Sequence, residues 1–385
     1  MSDLDVVRPL WAEIDLDALE GNYREVVRLV GPDVKVIPSV KANAYGHGVV
    51  EIARVLSAQG IYALACGSLP EAIAVRQAGV AVEILLFVSY VPETVPQVLT
   101  HGFVPTVANM ETARAVSAAA RRPAAIYVKV DSGLGRLGVP IWEAVEFVKQ
   151  VATLPRIIIE GIYTHLPFGD PAGRAWAETR HREFREVLRT LAQVGISVPI
   201  TQAVSSAGIL AKAEHGCSAV CPGHVLYGLP PVSPAVADCT PFRPVLRAIR
   251  TRLIHVTKNA AARAVGLGGH YPVAGGTVTG VVAIGMRDGY RDARTGKATM
   301  LLRGHRAPVL GVSLEHTTLD LTGIPEPRVG EEIMVLGRDG ADQITLSEMA
   351  EWQQAHPLEI LTAFSSRVPY RYLAPRPDRR AVAAL

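Results

Sequence analysis

The chain has 385 residues, 49% of them apolar and 19% charged, with a formal net charge of +3. That length is more than one hydrophobic core supports and suits two domains, and the composition excludes a disordered chain. Lysine and arginine form no long block, which excludes the electrostatic footprint of a nucleic-acid partner; the tail RPDRR reads as a solvated end.

At the N-terminus, MSDLDVVRPLW has no basic region followed by an apolar core, so no signal peptide is expected. The longest apolar stretch, near VEILLFVSYV, is about half a membrane span, so no membrane partner is expected. Cys66, Cys217, Cys221 and Cys239 form no CxxC pair and no zinc spacing, so a cytoplasmic chain with reduced thiols and no metal is expected.

Short apolar runs then alternate with segments of helical period. The strand candidates are VKVIPSV (34–40), YALACG (62–67), VEILLFV (82–88), FVPTV (103–107), AAIYVKV (124–130), IIIEGIYTH (157–165), VPITQAV (198–204) and SAVCPG (218–223). Helix-like segments such as VVEIARVLSAQG and SLPEAIAVRQAG each end at a glycine, a helix stop signal. The repeats predict an α/β barrel of the TIM-like (β/α)8 type over residues 10–238. A doubly wound sheet is the alternative, but the first strand is followed by KANAYGHG where a glycine-rich nucleotide turn would stand. Past the proline-rich stretch PPVSPAVADCTPFRPV, short alternating runs such as GTVTGVVAIGM and EEIMVLG predict a C-terminal mainly-β domain over 239–385. One helix is expected near TLSEMAEWQQA, with Ser347 as cap and Glu348 in its first turn. WAEIDL (11–16) precedes the barrel and is a candidate strand of the β domain.

In such barrels the chemistry sits where strands end. Lys41 ends the first strand; Lys129, Asp131 and Arg136 follow the fifth in KVDSGLGRLG; His165 ends the sixth; Ser205 and Ser206 end the seventh; Cys221, Gly223 and His224 end the eighth in VCPGHVLYG. Each has a plainer reading alone, a solvated strand-end lysine or a glycine in a turn. Together, a lysine, an arginine aimed at a ring and a phosphate cup around one mouth suggest pyridoxal 5′-phosphate.

These stretches resemble the alanine racemases, and the likeness runs over nearly the whole chain, from WAEIDLDALEGNY through VKANAYGHG, KVDSGLGRLG, YTH, SSAG and CPGHVLYG to EILTAFSSRVP. The resemblance implies that Lys41 bears the cofactor and moves the α-proton on one face. It implies that Tyr45 reaches the phosphate, that Arg136 points at the phenolic oxygen, oriented by Lys129, which the family often carbamylates, and that His165 lies against the ring. Ser206, Gly223 and His224 would cup the phosphate. It further implies an amino-acid substrate and a head-to-tail homodimer with shared active sites.

The pattern also departs from the family. In VAIGMRDGY (282–290), Met286 occupies the slot of the tyrosine that serves as second acid/base, and a thioether carries no proton at neutral pH. The ring-nitrogen arginine is Cys221, whose thiolate form would favour a protonated ring and a stronger electron sink. The CMDQ loop is SLEH, placing Leu314 and Glu315 toward substrate and offering His316 as a substitute base. The tyrosine before RVP, which helps hold the phosphate, is Ser366. The implied activity is a racemase of altered substrate range. The alternatives are a non-racemase reaction of the same cofactor (aldol cleavage, elimination, decarboxylation or transamination) and a non-catalytic cofactor-binding protein.

Overall fold

The computed structural model describes residues 8–373 except 88, 214–215, 234–235, 266–270, 292–295 and 365–366. Two compact units emerge: one is Asp17–Ala44 with Gly48–Val245, the other the described parts of Met1–Leu16, Tyr45–His47 and Leu246–Leu385.

The first unit is built on parallel strands in the order Lys35–Val36, Ala219–Cys221, Ile200–Ser205, Ile157–Tyr163, Ala124–Asp131, Val104–Val107, Glu83–Leu86 and Ala63–Cys66. The sheet closes on itself. Ser39, just past the first strand, bridges Ala65 in parallel, and Val40 donates its N–H to the Ala65 carbonyl at 2.9 Å. Regular pairing in the first strand is shorter than the apolar run 34–40, because Pro38 has no N–H for the ladder. Helices such as Val49–Ala58, Leu69–Gln77, Met110–Ala119 and Pro171–Gln193 connect the strands. The period of two turns alternate residues inward. Ile37, Ala63, Ala65, Leu85, Val104, Tyr127, Tyr163, Ile200 and Ala219 therefore make one buried cluster filling the barrel. The Tyr127 ring lies where a side chain on Gly161 would stand, 2.3 Å from an added Cβ, so strand six must carry glycine there.

The second unit is antiparallel for the most part. Glu332–Asp339, Thr299–Leu302, His305–Val312, Thr317–Asp320, Val278–Val282 and Leu246–Lys258 pair in that order, and the long last strand pairs again with Glu332–Asp339 to close a ring. Leu10–Asp15, the WAEIDL segment, lies antiparallel to Leu246–Lys258 and parallel to Tyr370–Leu373 in this unit. Its Leu10 and Ala12 join the unit's core with Ile249, Leu253, Met300 and Val335.

Two local expectations are corrected. The helix Leu346–Gln353 is capped by Thr345, not Ser347. The Thr345 hydroxyl accepts from the Glu348 N–H at 3.1 Å while the Glu348 carboxylate accepts from the Thr345 N–H, and that reciprocal pair requires the spacing T-x-x-E. A second helix, Pro357–Ala363, covers much of EILTAF, capped by His356 with Glu359. Among the described residues no helix is long and apolar enough to cross a membrane.

Beneath the β unit's surface, the carboxylate of Asp288 is fully buried and takes Arg8 in a fork, with Nη2 to Oδ2 at 2.6 Å. Arg367 approaches the same carboxylate at 3.4 Å, and the Gly285 N–H donates to it at 3.0 Å. Removing one partner of a buried pair strands the other. Asp288→Ala is expected to destabilise the chain by about 3 kcal/mol, read as a lower midpoint of chemical unfolding.

Candidate active site

Lys41 emerges directly from the bridge that closes the barrel. The residues after it turn the wrong way for L-amino acids: Ala42, Asn43, Ala44 and Tyr45 have φ of 55°, 53°, 54° and 54°. Left-handed residues of this kind cost about 1–2 kcal/mol each, so the turn exists only because its surroundings hold it. Ala44 donates to the Val40 carbonyl at 2.9 Å, Gly48 to the Asn43 carbonyl at 3.0 Å, and Val49 to the Asn43 side-chain oxygen at 2.8 Å. Gly67, at the end of the second strand, clears the space beside it. A Cβ there would stand 2.7 Å from the Lys41 Cβ.

Around Lys41 the strand ends gather basic groups. Lys129 is buried, and its Nζ lies 4.5 Å above the Tyr163 ring. Burial first, then the positive charge of Arg136, pushes Lys129 down to about 7; Asp131 and Cys221 act in the opposite direction. Burial likewise lowers Lys41, with Cys221 opposing and Arg136 reinforcing the shift. His165 falls to about 3, from burial and then from Lys129, Lys41, Arg136 and His224. Arg136 rides on the loop after strand five, shaped by Asp131, whose carboxylate accepts the Gly133 and Gly135 N–H groups, each at 2.9 Å. Gly138 closes that loop with φ of 127°, where a Cβ would meet the Asp131 nitrogen at 2.5 Å.

At the ends of strands seven and eight, the buried Ser206 hydroxyl accepts from the Gly223 N–H at 3.0 Å and the Val225 N–H at 3.3 Å. Tyr227 ties this corner to the first strand through its hydroxyl, 3.0 Å from the Ser39 carbonyl. The fold thus brings Lys41, Lys129, Arg136, His165 and Cys221 into one electrostatically coupled group, with His224 acting on His165. The Arg136 guanidinium calls for an anion. A phosphate with a phenolate and an aldehyde suits this donor set, since Lys41 offers an amine whose pKa burial lowers. Cys221 carries the thiol of this group. Burial pushes its thiol up to about 11 although Lys41 and Lys129 pull the other way, so it is a neutral thiol at pH 7 and not a thiolate.

Met286, Leu314, Glu315 and His316 lie together in the β unit. Met286 and Arg287 donate their N–H groups to the carbonyls of Ser313 and Leu314 at 2.9 and 2.8 Å. Gly285 permits the approach, because a Cβ there would meet the Ser313 carbonyl oxygen at 2.4 Å. Met286 is 43% exposed and Leu314 66%. Glu315 is ion-paired with Arg367. Tyr45 is buried on the left-handed turn, and Ser366 lies outside the described residues. Among the described residues no three His, Cys, Asp or Glu side chains are grouped to hold a metal. Motif reading missed Tyr163, which floors Lys129, and Gly67, for which a glycine at a strand's carboxyl end was the available signal.

Both halves of the chain match one family description. Residues 14–231 match "Alanine racemase, N-terminal domain" and residues 246–372 match "Alanine racemase, C-terminal domain". The alanine racemase of Halothermothrix orenii is 33% identical over 371 residues, 95% of this chain and 97% of that protein. Among solved structures, the alanine racemase of Bacillus anthracis with bound L-Ala-P superposes with a TM-score of 0.88 at 27% identity, covering 95% of each chain. That of Clostridium difficile 630 gives 0.87 at 26% identity, covering 96% of each.

The depressed His165 has a consequence for acid stability. Between pH 6.5 and about 3 the unfolded imidazole binds a proton that the folded one refuses, so acidification through that window favours unfolding. His165→Asn is expected to shrink the stability lost between pH 6.5 and 4 by about 2 kcal/mol, measured by urea unfolding of the cofactor-free chain. An unchanged pH slope would contradict the burial of a neutral imidazole.

Proposed function

We propose, from the premise that this chain is a member of the alanine racemase family of pyridoxal 5′-phosphate-dependent racemases, that it racemises an amino acid with a side chain larger than the methyl of alanine. The observation that carries the reading is the placement of Lys41, which follows the barrel-closing Ser39–Ala65 bridge, leads into the left-handed turn Ala42–Tyr45 and has the space beside it cleared by Gly67.

When bound, the cofactor supplies an electron sink that makes the α-proton of an attached amino acid removable. Lys41 would hold it and take or return that proton on one face, and burial, which lowers the amine's pKa, acts in the direction that favours this. Ser206, Gly223 and the His224 backbone would cup the phosphate, and the Tyr45 hydroxyl would reach it. Arg136 would aim at the phenolic oxygen and the substrate carboxylate, with Lys129 orienting it. His165, kept neutral by burial, would lie against the ring. Cys221 would face the ring nitrogen, and as a thiol it would supply no charge there. Ser366 stands in the slot of a phosphate-holding tyrosine.

The second face is where this chain departs. Met286 stands in the slot of the family's catalytic tyrosine and carries no proton. His316 is the substitute base we assign, since Glu315 is committed to Arg367. The exposed apolar Met286 and Leu314 suit an aliphatic side chain, which supports the altered substrate range. In this reading the β unit of one copy faces the barrel mouth of another in a cytoplasmic homodimer.

A second reading rests on Met286 itself. With no proton carrier on that face, Lys41 alone would support exchange with retention, or a different reaction of the same cofactor. Incubating the loaded protein with single L- and D-amino acids in heavy water separates the two. Racemisation yields inverted, deuterated product with leucine-like substrates faster than with alanine, and His316→Ala lowers it about a hundredfold. Deuterium uptake without inversion supports the one-base reading. Met286→Tyr is expected to raise alanine turnover; no rise at all would place the missing element elsewhere, with Cys221→Arg the next variant to assay.

A further inference from the structure

The segment 68–71 reads Ser-Leu-Pro-Glu, the S-x-x-E spacing of a helix capping box, and it opens the helix Leu69–Gln77. The box is not made. Ser68 forms no side-chain cap bond. The Glu71 carboxylate reaches instead to the turn after Lys41, where Oε1 accepts the Asn43 N–H at 2.6 Å. Its other oxygen lies 3.6 Å from where a Cβ on Gly67 would stand, the same point that lies 2.7 Å from the Lys41 Cβ. The carboxylate and the lysine stem therefore flank one vacant glycine position. The helix that carries Glu71 is anchored by buried Leu69, Ala72 and Val75, so the acceptor is fixed in place.

We infer that Glu71 is a positioning residue for Lys41: its carboxylate, diverted from its own helix, clamps Asn43 and holds the left-handed turn Ala42–Tyr45 from which the Lys41 amine is presented. Four successive non-glycine residues of positive φ do not keep that conformation by themselves. A charged acceptor on a rigid helix is the kind of restraint that offsets it. Released from the clamp, the turn relaxes and Lys41 moves off its desolvated site toward water.

The inference about turnover rests on the racemase reading; the inference about Lys41 does not. The full chain without cofactor is labelled with an acylating reagent across a pH series, and the Lys41 peptide is quantified by mass spectrometry. The wild-type midpoint should lie below that of an ordinary lysine. Glu71→Ala should raise the midpoint by about one pH unit and, after loading with pyridoxal 5′-phosphate, lower kcat at least about tenfold with KM within about twofold. Glu71→Gln keeps an oxygen acceptor and should stay close to wild type in both measurements. Adding Ala42→Gly to Glu71→Ala should move the midpoint back toward wild type, because glycine takes positive φ without strain. Should Glu71→Ala fail to fold, Glu71→Asp, whose shorter carboxylate withdraws from Asn43, must raise the midpoint. A midpoint unchanged in Glu71→Ala or Glu71→Asp overturns the inference, as does a Glu71→Gln chain impaired as much as Glu71→Ala. If the wild-type chain racemises nothing, the labelling series still decides the role of Glu71.

Discussion

The mouth of the barrel depends on holding amines out of water beside other positive charges. Water normally stabilises a lysine cation, and the crowding of strand ends removes that water. Lys129 drops to about 7 and His165 to about 3, and Lys41 is lowered with them. A cluster in that state favours neutral bases and attracts anions at once. Both properties belong to a site that binds a phosphorylated aldehyde through an amine. The same crowding raises the Cys221 thiol by burial, which leaves the position proposed for the ring nitrogen uncharged.

Closure of the barrel makes this crowding possible. The first strand is too short to close the sheet by a full ladder, since Pro38 interrupts it. The Ser39–Ala65 bridge completes the circle and fixes where Lys41 begins. Immediately afterwards the backbone reverses into left-handed residues, held by the Asn43 bonds and cleared by Gly67. Strain here serves position. The turn gives up local backbone stability and the neighbouring strands and helix restore it.

The β unit has its own organising contact. Asp288, buried without exposure, is forked by Arg8 and approached by Arg367, which also pairs with Glu315. This network fixes the segment carrying Met286 against the loop carrying Leu314 and His316. Identity at Met286 and His316 decides which chemistry a proposed second face supports, whereas the network decides only that the two segments stay together.

Much of this was legible in the residue order. Alternation with period two and glycine stops marked the barrel strands, although regular pairing stops at Val36 and Tyr163, short of Lys41 and His165, and Lys129 lies within Ala124–Asp131. Those features are local, and the chain carries them wherever it folds. The ionisation of Lys129 and Cys221, the left-handed turn and the diversion of Glu71 from its capping box could not be read that way. Each depends on groups distant in sequence that only the closed barrel brings within a few ångströms. Even the Thr345 cap, whose T-x-x-E spacing was in plain sight, competed with a nearby serine until the helix register was set by packing. The sequence by itself determined the order of the barrel strands and which segments follow them. The tertiary structure decided the protonation, the strain and the partners of their residues, because desolvation and charge proximity are properties of the assembled interior.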